Sequence, residues 1–337
     1  MNAQTNAPVN AEVNAGWQDF LIAAGARMAN AAAPEILDFG NAPGELLAAQ
    51  DGTILSPLTH LGLIACDGDE AKTFLHNQVT SDINHLASDA AQYSAWCSAK
   101  GRMLASFLIY REAGDYRLLL SADLVPSIAK RLQMFVLRAK VKIADLSTSR
   151  VVLGVAGPQA EAALVAAGLP VPAQPLQTAT SSEASVIRLH HQRFQVIVLR
   201  EAAQSLWTKL ATLARPAGPP AWMWLQVEAG VPLISEATRE EFVPQMLNFE
   251  QLGGVSFHKG CYPGQEVVAR TQYLGKVKRH LYRLRSSAPL AVGGVVYSPE
   301  NAEQPCGTVV NAAPAPSGGY VALAVLQIGR ASCRVRV

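Results

Sequence analysis

Apolar positions along this chain recur in short blocks with two different periods. Leu61-Gly-Leu-Ile-Ala-Cys66 and Met103-Leu-Ala-Ser-Phe-Leu-Ile-Tyr110 are near-continuous apolar runs of strand length. Residues 116–120 supply an antiparallel partner for the second run across a Gly114-Asp115 turn. A helical period takes over at 71–79, behind the acidic Asp67-Gly-Asp-Glu70, which complements the positive end of a helix. It returns where Leu124, Val125, Ile128, Leu132, Phe135, Val136 and Ala139 share one face. Ser121 is the expected N-cap of that helix, and Pro126 sits early, where its missing N–H is tolerated.

Further along, strands are predicted at 141–146 and 151–156. Gly157-Pro158 opens a helix that Gly168 closes, 170–182 is a connector, 186–189 and 194–199 form a hairpin, and 203–213 is a helix. Upstream, Trp17, Phe20, Leu21 and Ala24 give 17–28 the spacing of a short amphipathic helix. It follows an Asn- and Ala-rich flexible tail, and Pro34, Pro43 and Gly44 punctuate the way to the main body. Short strands at 295–297, 307–310 and 320–326, separated by Pro and Gly turns, predict a small C-terminal β-barrel. The interleaving of the two periods gives an α+β fold.

Length and composition narrow the class. The 337 residues allow two or three domains, and 50% hydrophobic with 16% charged residues is the balance of a folded chain. A net charge of +2 gives no long-range pull toward nucleic acid or an anionic membrane, so direct nucleic acid binding is not expected. A local RNA patch would have to come from Lys276, Lys278, Arg279 and His280; the solvated face of a strand over 273–285 is the plainer reading. The five cysteines, Cys66, Cys97, Cys261, Cys306 and Cys333, are scattered, with no C-x-x-C pair, so neither a disulfide framework nor a metal site is expected. His258, three residues before Cys261, reads as a polar loop histidine. With no apolar run of about eighteen residues and no secretion signal, the expected location is the cytoplasm.

Reactive and backbone-bending residues concentrate in Lys259-Gly-Cys-Tyr-Pro-Gly-Gln-Glu266. Gly260 and Gly264 free the backbone on either side of Cys261, and Pro263 fixes φ between them. Lys259 is close enough in sequence to favour the Cys261 thiolate, the form that attacks electrophiles; a buried turn cysteine is the alternative. A second concentration is Trp222-Met-Trp-Leu-Gln-Val-Glu-Ala-Gly230, where flat aromatic faces and the Glu228 carboxylate suit a planar ring with N–H donors. Core tryptophans are the alternative there. Lys100 and Arg102, in a glycine turn at a strand entrance, have the charge to hold carboxylates or a phosphate. Asn77-Gln-Val-Thr-Ser-Asp82 reads as a polar turn.

The eighteen positions 253–270, which include the Cys261 segment, resemble the signature of the YgfZ family. Its members are folate-binding proteins akin to the aminomethyltransferase T-protein of glycine cleavage, and they include a mitochondrial iron–sulfur assembly factor. The resemblance implies an aminomethyltransferase-like folate-binding body over 50–265, built of two intertwined subdomains. Around it stand a tail and short helix over 1–49 and a C-terminal β-barrel over 266–327. Residues 328–337 instead resemble a translated sequencing adapter, which leaves Cys333 without weight. The cofactor implied is tetrahydrofolate or a derivative: Glu228 matches the glutamate of a Glu-Ala-Gly motif that contacts the pterin, and Trp222 matches a folate-associated tryptophan. Asn77 and Asp82 fall in a turn that borders the ligand cavity. Leu61 stands where the family has another such aromatic. The implied partners are iron–sulfur enzymes or cluster carriers, including tRNA-modifying enzymes. A tetrahydrofolate-dependent one-carbon transferase is the alternative, but Ala105 and Ser106 align with the paired aspartates of the T-proteins, and neither supplies a carboxylate.

Overall fold

The computed structural model describes residues 16–29, 35–273, 275, 277–298 and 301–327. The expected tail, Pro34, Lys276 and the adapter-like end with Cys333 lie outside the described residues. The chain divides into two compact units, Met1–Thr59 with Leu146–Trp222 and His60–Asp145 with Met223–Val337. The fold is α+β.

Among its described residues the first unit holds a six-stranded sheet, in the order Thr178–Thr180, Ala184–His190, Arg193–Leu199, Arg150–Ala156, Ile54–Pro57, Arg215–Pro216. Strand alternation sends Leu55, Leu153, Val155, Phe194, Val196 and Val198 to one face, where they join Leu164, Leu206 and Leu210 from the helices Ala160–Ala166 and Arg200–Leu210. Trp17 and Leu21 complete that core. Their helix spans 16–23 and not the predicted 17–28: Gly25 turns the chain at φ +101, and Arg27–Met28 pairs with Ile36–Asp38. On the opposite face Ser56, Gly154 and Gln195 form one row, since Gly154 is the register partner of both others.

The second unit has a five-stranded antiparallel sheet, in the order Ala91–Cys97, Met103–Glu112, Asp115–Ser121, Leu61–Asp67, Lys142–Asp145. The tight turn falls one residue earlier than predicted: Ala113 (φ 52) and Gly114 (φ 94) take the two left-handed positions, leaving Asp115 paired with Glu112. Ser121 makes no side-chain cap. A 3₁₀ turn at Ala122–Leu124 leads into the helix Val125–Val136, which stops at Leu137 (φ 49), so Ala139 lies beyond it. The C-terminal strands run in the order Arg279–Ser286, Tyr320–Gln327, Asn301–Pro314, Val295–Ser298. The two end strands pair only inward among the described residues, which makes an open sheet and corrects the predicted closed barrel. No helix among the described residues is long and apolar enough to cross a membrane.

Candidate functional site

The helix Ala71–Gln78 ends with carbonyls that have no downstream N–H to accept from, because Thr80 N donates instead to Ala95 O at 2.9 Å. Lys259 fills that gap. Only 8% exposed, its ammonium donates to the carbonyls of His76, Val79 (2.5 Å) and Ser81 (3.0 Å) at the negative end of the helix. Burial pushes its pKa down to about 8, with Asp82 pulling the other way. Its three donors are committed to these carbonyls, which leaves no N–H for a hydrogen bond to the Cys261 sulfur. Lys259 instead ties the loop to the helix two residues ahead of Cys261.

The far side of the loop is fixed by glycine. Gly264 (φ +80) lies so close to the turn at 98–102 that a Cβ on it would sit 2.4 Å from Ser98 O and 2.7 Å from Gly101 Cα. Gly101 (φ +70) has the same relation to Val267, with 2.8 Å between the two Cβ positions. The two glycine turns therefore pack backbone to backbone, and Lys100 and Arg102, both exposed, belong to the surroundings of Cys261. Arg102 donates to the carbonyl of Glu241. Gly264→Ala is expected to destabilise the protein by about 2 kcal/mol, from left-handed strain and displaced backbone. Urea unfolding that left the variant equal to wild type would remove this packing from the argument.

Cys261 is exposed between these two anchors, whereas Cys66, Cys97 and Cys306 are buried. Burial raises the Cys66 and Cys97 thiols to about 12. Among the described cysteines, Cys261 is the one that meets solvent.

Asn77 is exposed on the helix itself and not in a turn. Asp82 accepts from Asn84 N at 2.9 Å and from His85 Nδ1 at 2.8 Å, and lies 3.3 Å from His76 Nδ1. Desolvation raises its pKa, but these partners outweigh it and hold the carboxyl below the usual range. His76 went unread in the sequence, where nothing but its nearness to Asn77 marked it. It is 9% exposed, and a Cβ on Gly260 would stand 3.9 Å from its Nε2.

The proposed pterin contacts sit in different settings. Glu228, in the second unit, pairs through Oε2 with Arg283 Nη1, which also reaches its carbonyl at 3.2 Å. Trp222, in the first unit, is 2% exposed, and its ring lies on Gly154, where a Cβ would come within 2.4 Å of it. The Arg193 guanidinium stands 5.9 Å from the ring centroid. In the same sheet row, Ser56 Oγ and Gln195 Oε1 are buried with no hydrogen-bond partner. Ala105 and Ser106 are buried, and the Ser106 hydroxyl accepts from Ile234 N at 2.9 Å. No trio of His, Cys, Asp or Glu among the described residues is placed to hold a metal.

The model of the GCVT N-terminal domain family matches residues 19–253 and so ends before the Cys261 segment. Over 236 residues the chain is 33% identical to the tRNA-modifying protein YgfZ of Escherichia fergusonii, which covers 69% of this chain and 72% of that protein. The YgfZ protein of Escherichia coli K12 matches to the same 33% over 236 residues. The crystal structure of the glycine cleavage system aminomethyltransferase T from Bartonella henselae shares the fold, with a TM-score of 0.77 at 22% identity, over 92% of this chain and 88% of that one. A family model spanning most of the second and first units, joined to YgfZ relatives at this identity, places the chain in the GCVT N-terminal domain family and, within it, among the YgfZ proteins.

Proposed function

We propose that this protein binds tetrahydrofolate or a derivative in the cytoplasm and supports iron–sulfur enzymes, including those that modify tRNA. The observation that carries this reading is an exchange of chemistry within an aminomethyltransferase fold. Buried Ala105 and Ser106 occupy the strand where the acidic pair would stand, while Cys261 is presented to solvent on a loop anchored at both ends. A transferase needs a carboxylate beside its cationic intermediate, and these two side chains offer none. The names of the relatives, tRNA-modifying proteins, agree with this direction.

The residues around Trp222 fit a pterin. Ser56 Oγ and Gln195 Oε1 are buried polar atoms without protein partners, a cost of about 1–3 kcal/mol each that a ligand with N–H and carbonyl groups relieves. Bound tetrahydrofolate supplies one-carbon or reducing chemistry; the protein's part is to hold it and to present Cys261. The body over 50–265 would carry the folate and 266–327 the C-terminal sheet.

Calorimetry with tetrahydrofolate tests the reading. Wild type is expected to give a saturable heat, and Glu228→Gln to bind about tenfold or more weakly, as loss of a charge-assisted acceptor implies. Absence of heat in the wild type disposes of the folate reading; equal affinities dispose of Glu228 as anchor. In a strain lacking the native protein, Cys261→Ala should fail to restore tRNA methylthiolation, and full restoration would take Cys261 out of the function.

A further inference from the structure

We propose that the C-terminal end of the helix Val125–Val136 is a reversible docking surface for an anionic lipid bilayer. This surface belongs to the second unit alone and depends neither on folate nor on Cys261.

The helix buries Ile128, Leu132 and Val136, as its apolar stripe requires. Its other side is not simply polar. Phe135, which its spacing assigns to the buried stripe, is 43% exposed, Met134 is 66% exposed, and Leu137, where the helix stops, is 87% exposed. Leu137 also has a backbone that suits another residue. At φ 49 and ψ −106, with Ala139 N donating to Val136 O at 2.9 Å, it takes the first central position of a type II′ turn, where glycine is favoured. Neither packing nor backbone geometry calls for leucine there. An apolar side chain held outward against both solvent and strain is one that gains its burial from a second body.

The surrounding charge selects that body. Residues 125–144 contain Lys130, Arg131, Arg138, Lys140 and Lys142 and no Asp or Glu. Lys130 shares a helix face with Met134, four residues on, and is exposed, as are Arg138, Lys140 and Lys142. Asp67, the register partner of Lys142, is paired with Arg117 at 2.5 Å, and Glu70 accepts from Lys140 N at 2.6 Å. The net charge of +2 conceals this local excess. A bilayer offers an apolar interior beneath a smeared negative charge, and it asks for no fixed pattern of hydrogen bonds. RNA asks instead for flat faces on which bases stack. Here the Phe135 ring is turned edge-on to Trp96, with 5.8 Å between centroids, and Arg131 lies 5.6 Å from the same indole, while Met134 and Leu137 have no flat face to offer. A few apolar side chains with flanking cations give a contact that is peripheral and weak enough to reverse.

Co-sedimentation of the full-length protein with vesicles tests this. Wild type is expected to pellet with phosphatidylcholine vesicles carrying about one-third phosphatidylglycerol, to stay in solution with phosphatidylcholine alone, and to be released by salt at about 0.5 M. Leu137→Gly separates binding from folding. Glycine suits φ 49, and the relief of strain offsets the added freedom of the unfolded chain, so the variant should match wild type in urea unfolding yet bind about fivefold or more weakly. Met134→Ser combined with Leu137→Ser should weaken binding about tenfold or more, and Lys130→Gln combined with Arg138→Gln by a similar factor. No binding of wild type to the anionic vesicles, equal binding to both kinds, or binding that Leu137→Gly leaves unchanged would overturn the proposal. So would retention on total tRNA or on polyglutamate without vesicle binding, which would give the patch to RNA or to an acidic protein.

Discussion

Replacing Lys259 by methionine is expected to cost about 3 kcal/mol of stability at pH 7 and to loosen the Cys261 loop. Methionine matches the length and apolar stem of lysine, so the change removes the ammonium, with its carbonyl bonds and its place 5.2 Å from the Tyr262 ring centroid, at little cost in volume. What it leaves behind is three carbonyls, of His76, Val79 and Ser81, at a helix end where the chain has no spare N–H. Each unmet buried acceptor costs about 1–3 kcal/mol, and water reaching part of the gap recovers some of the total. Against this stands the desolvation that depresses the lysine pKa to about 8, which leaves the group mostly charged at pH 7. Arginine should not rescue, because its planar fork cannot direct donors at three carbonyls grouped around a point charge. Urea unfolding followed by circular dichroism gives the stability, and hydrogen exchange over 257–264 gives the loop. A variant within about 0.5 kcal/mol of wild type, with unchanged exchange, would show that the loop is held by something else.

The contrast between lysine as expected and lysine as found marks the limit of what sequence reveals. Long apolar runs such as those at Leu61 and Met103 were legible as strands because burial on both faces leaves few alternatives, and the helix after Ser121 was legible from its stripe. Its ends were less so. Ser121 has the chemistry of a cap, yet a 3₁₀ turn intervenes, and the helix ends at Leu137, an exposed residue at φ 49, with no glycine to announce the stop. The C-terminal runs at 295–297, 307–310 and 320–326 lie within strands, whereas the run over 273–285 is strand only from Arg279, after the helix Gln265–Tyr273; open sheet or closed barrel depends on which edges meet, and no local pattern encodes that. The site followed the same logic. Residues 100–102 and 259–264 each read as a shaped glycine turn, but only the fold puts Gly264 against Gly101. Likewise Ser56 and Gln195 are ordinary strand residues until pairing sets them either side of Gly154, beneath a tryptophan far along the chain.

Acidification should destabilise the wild type most through His60, and His60→Leu should remove that part of the sensitivity. Both ring nitrogens of His60 are shielded from solvent with no hydrogen-bond partner, although the residue keeps some surface elsewhere, and this burial lowers its pKa to about 4. An unfolded histidine titrates near 6.5. Above that value His60 is neutral in both states and contributes no pH dependence. As the pH falls below it the unfolded chain takes up a proton that the folded chain refuses, so stability declines until the folded group also protonates near 4. Each unit in that window is worth about 1.4 kcal/mol, or about 2 kcal/mol between pH 6.5 and 5 and about 3 kcal/mol across the whole window. Leucine has no proton to take up and leaves no unmet nitrogen, so His60→Leu should be neutral or stabilising at pH 7.5 and should outlast wild type by about 2 kcal/mol more at pH 5. The backbone carbonyl of His60, which accepts from Ala122 N at 2.9 Å, is untouched by the change, so the strand start at Leu61 should survive it. Parallel stability curves for the two proteins from pH 7.5 to 5 would place the acid sensitivity elsewhere. His76 and His190 would then be the next groups to test, since burial holds both below the usual histidine range and the unfolded chain takes up their protons in the same window.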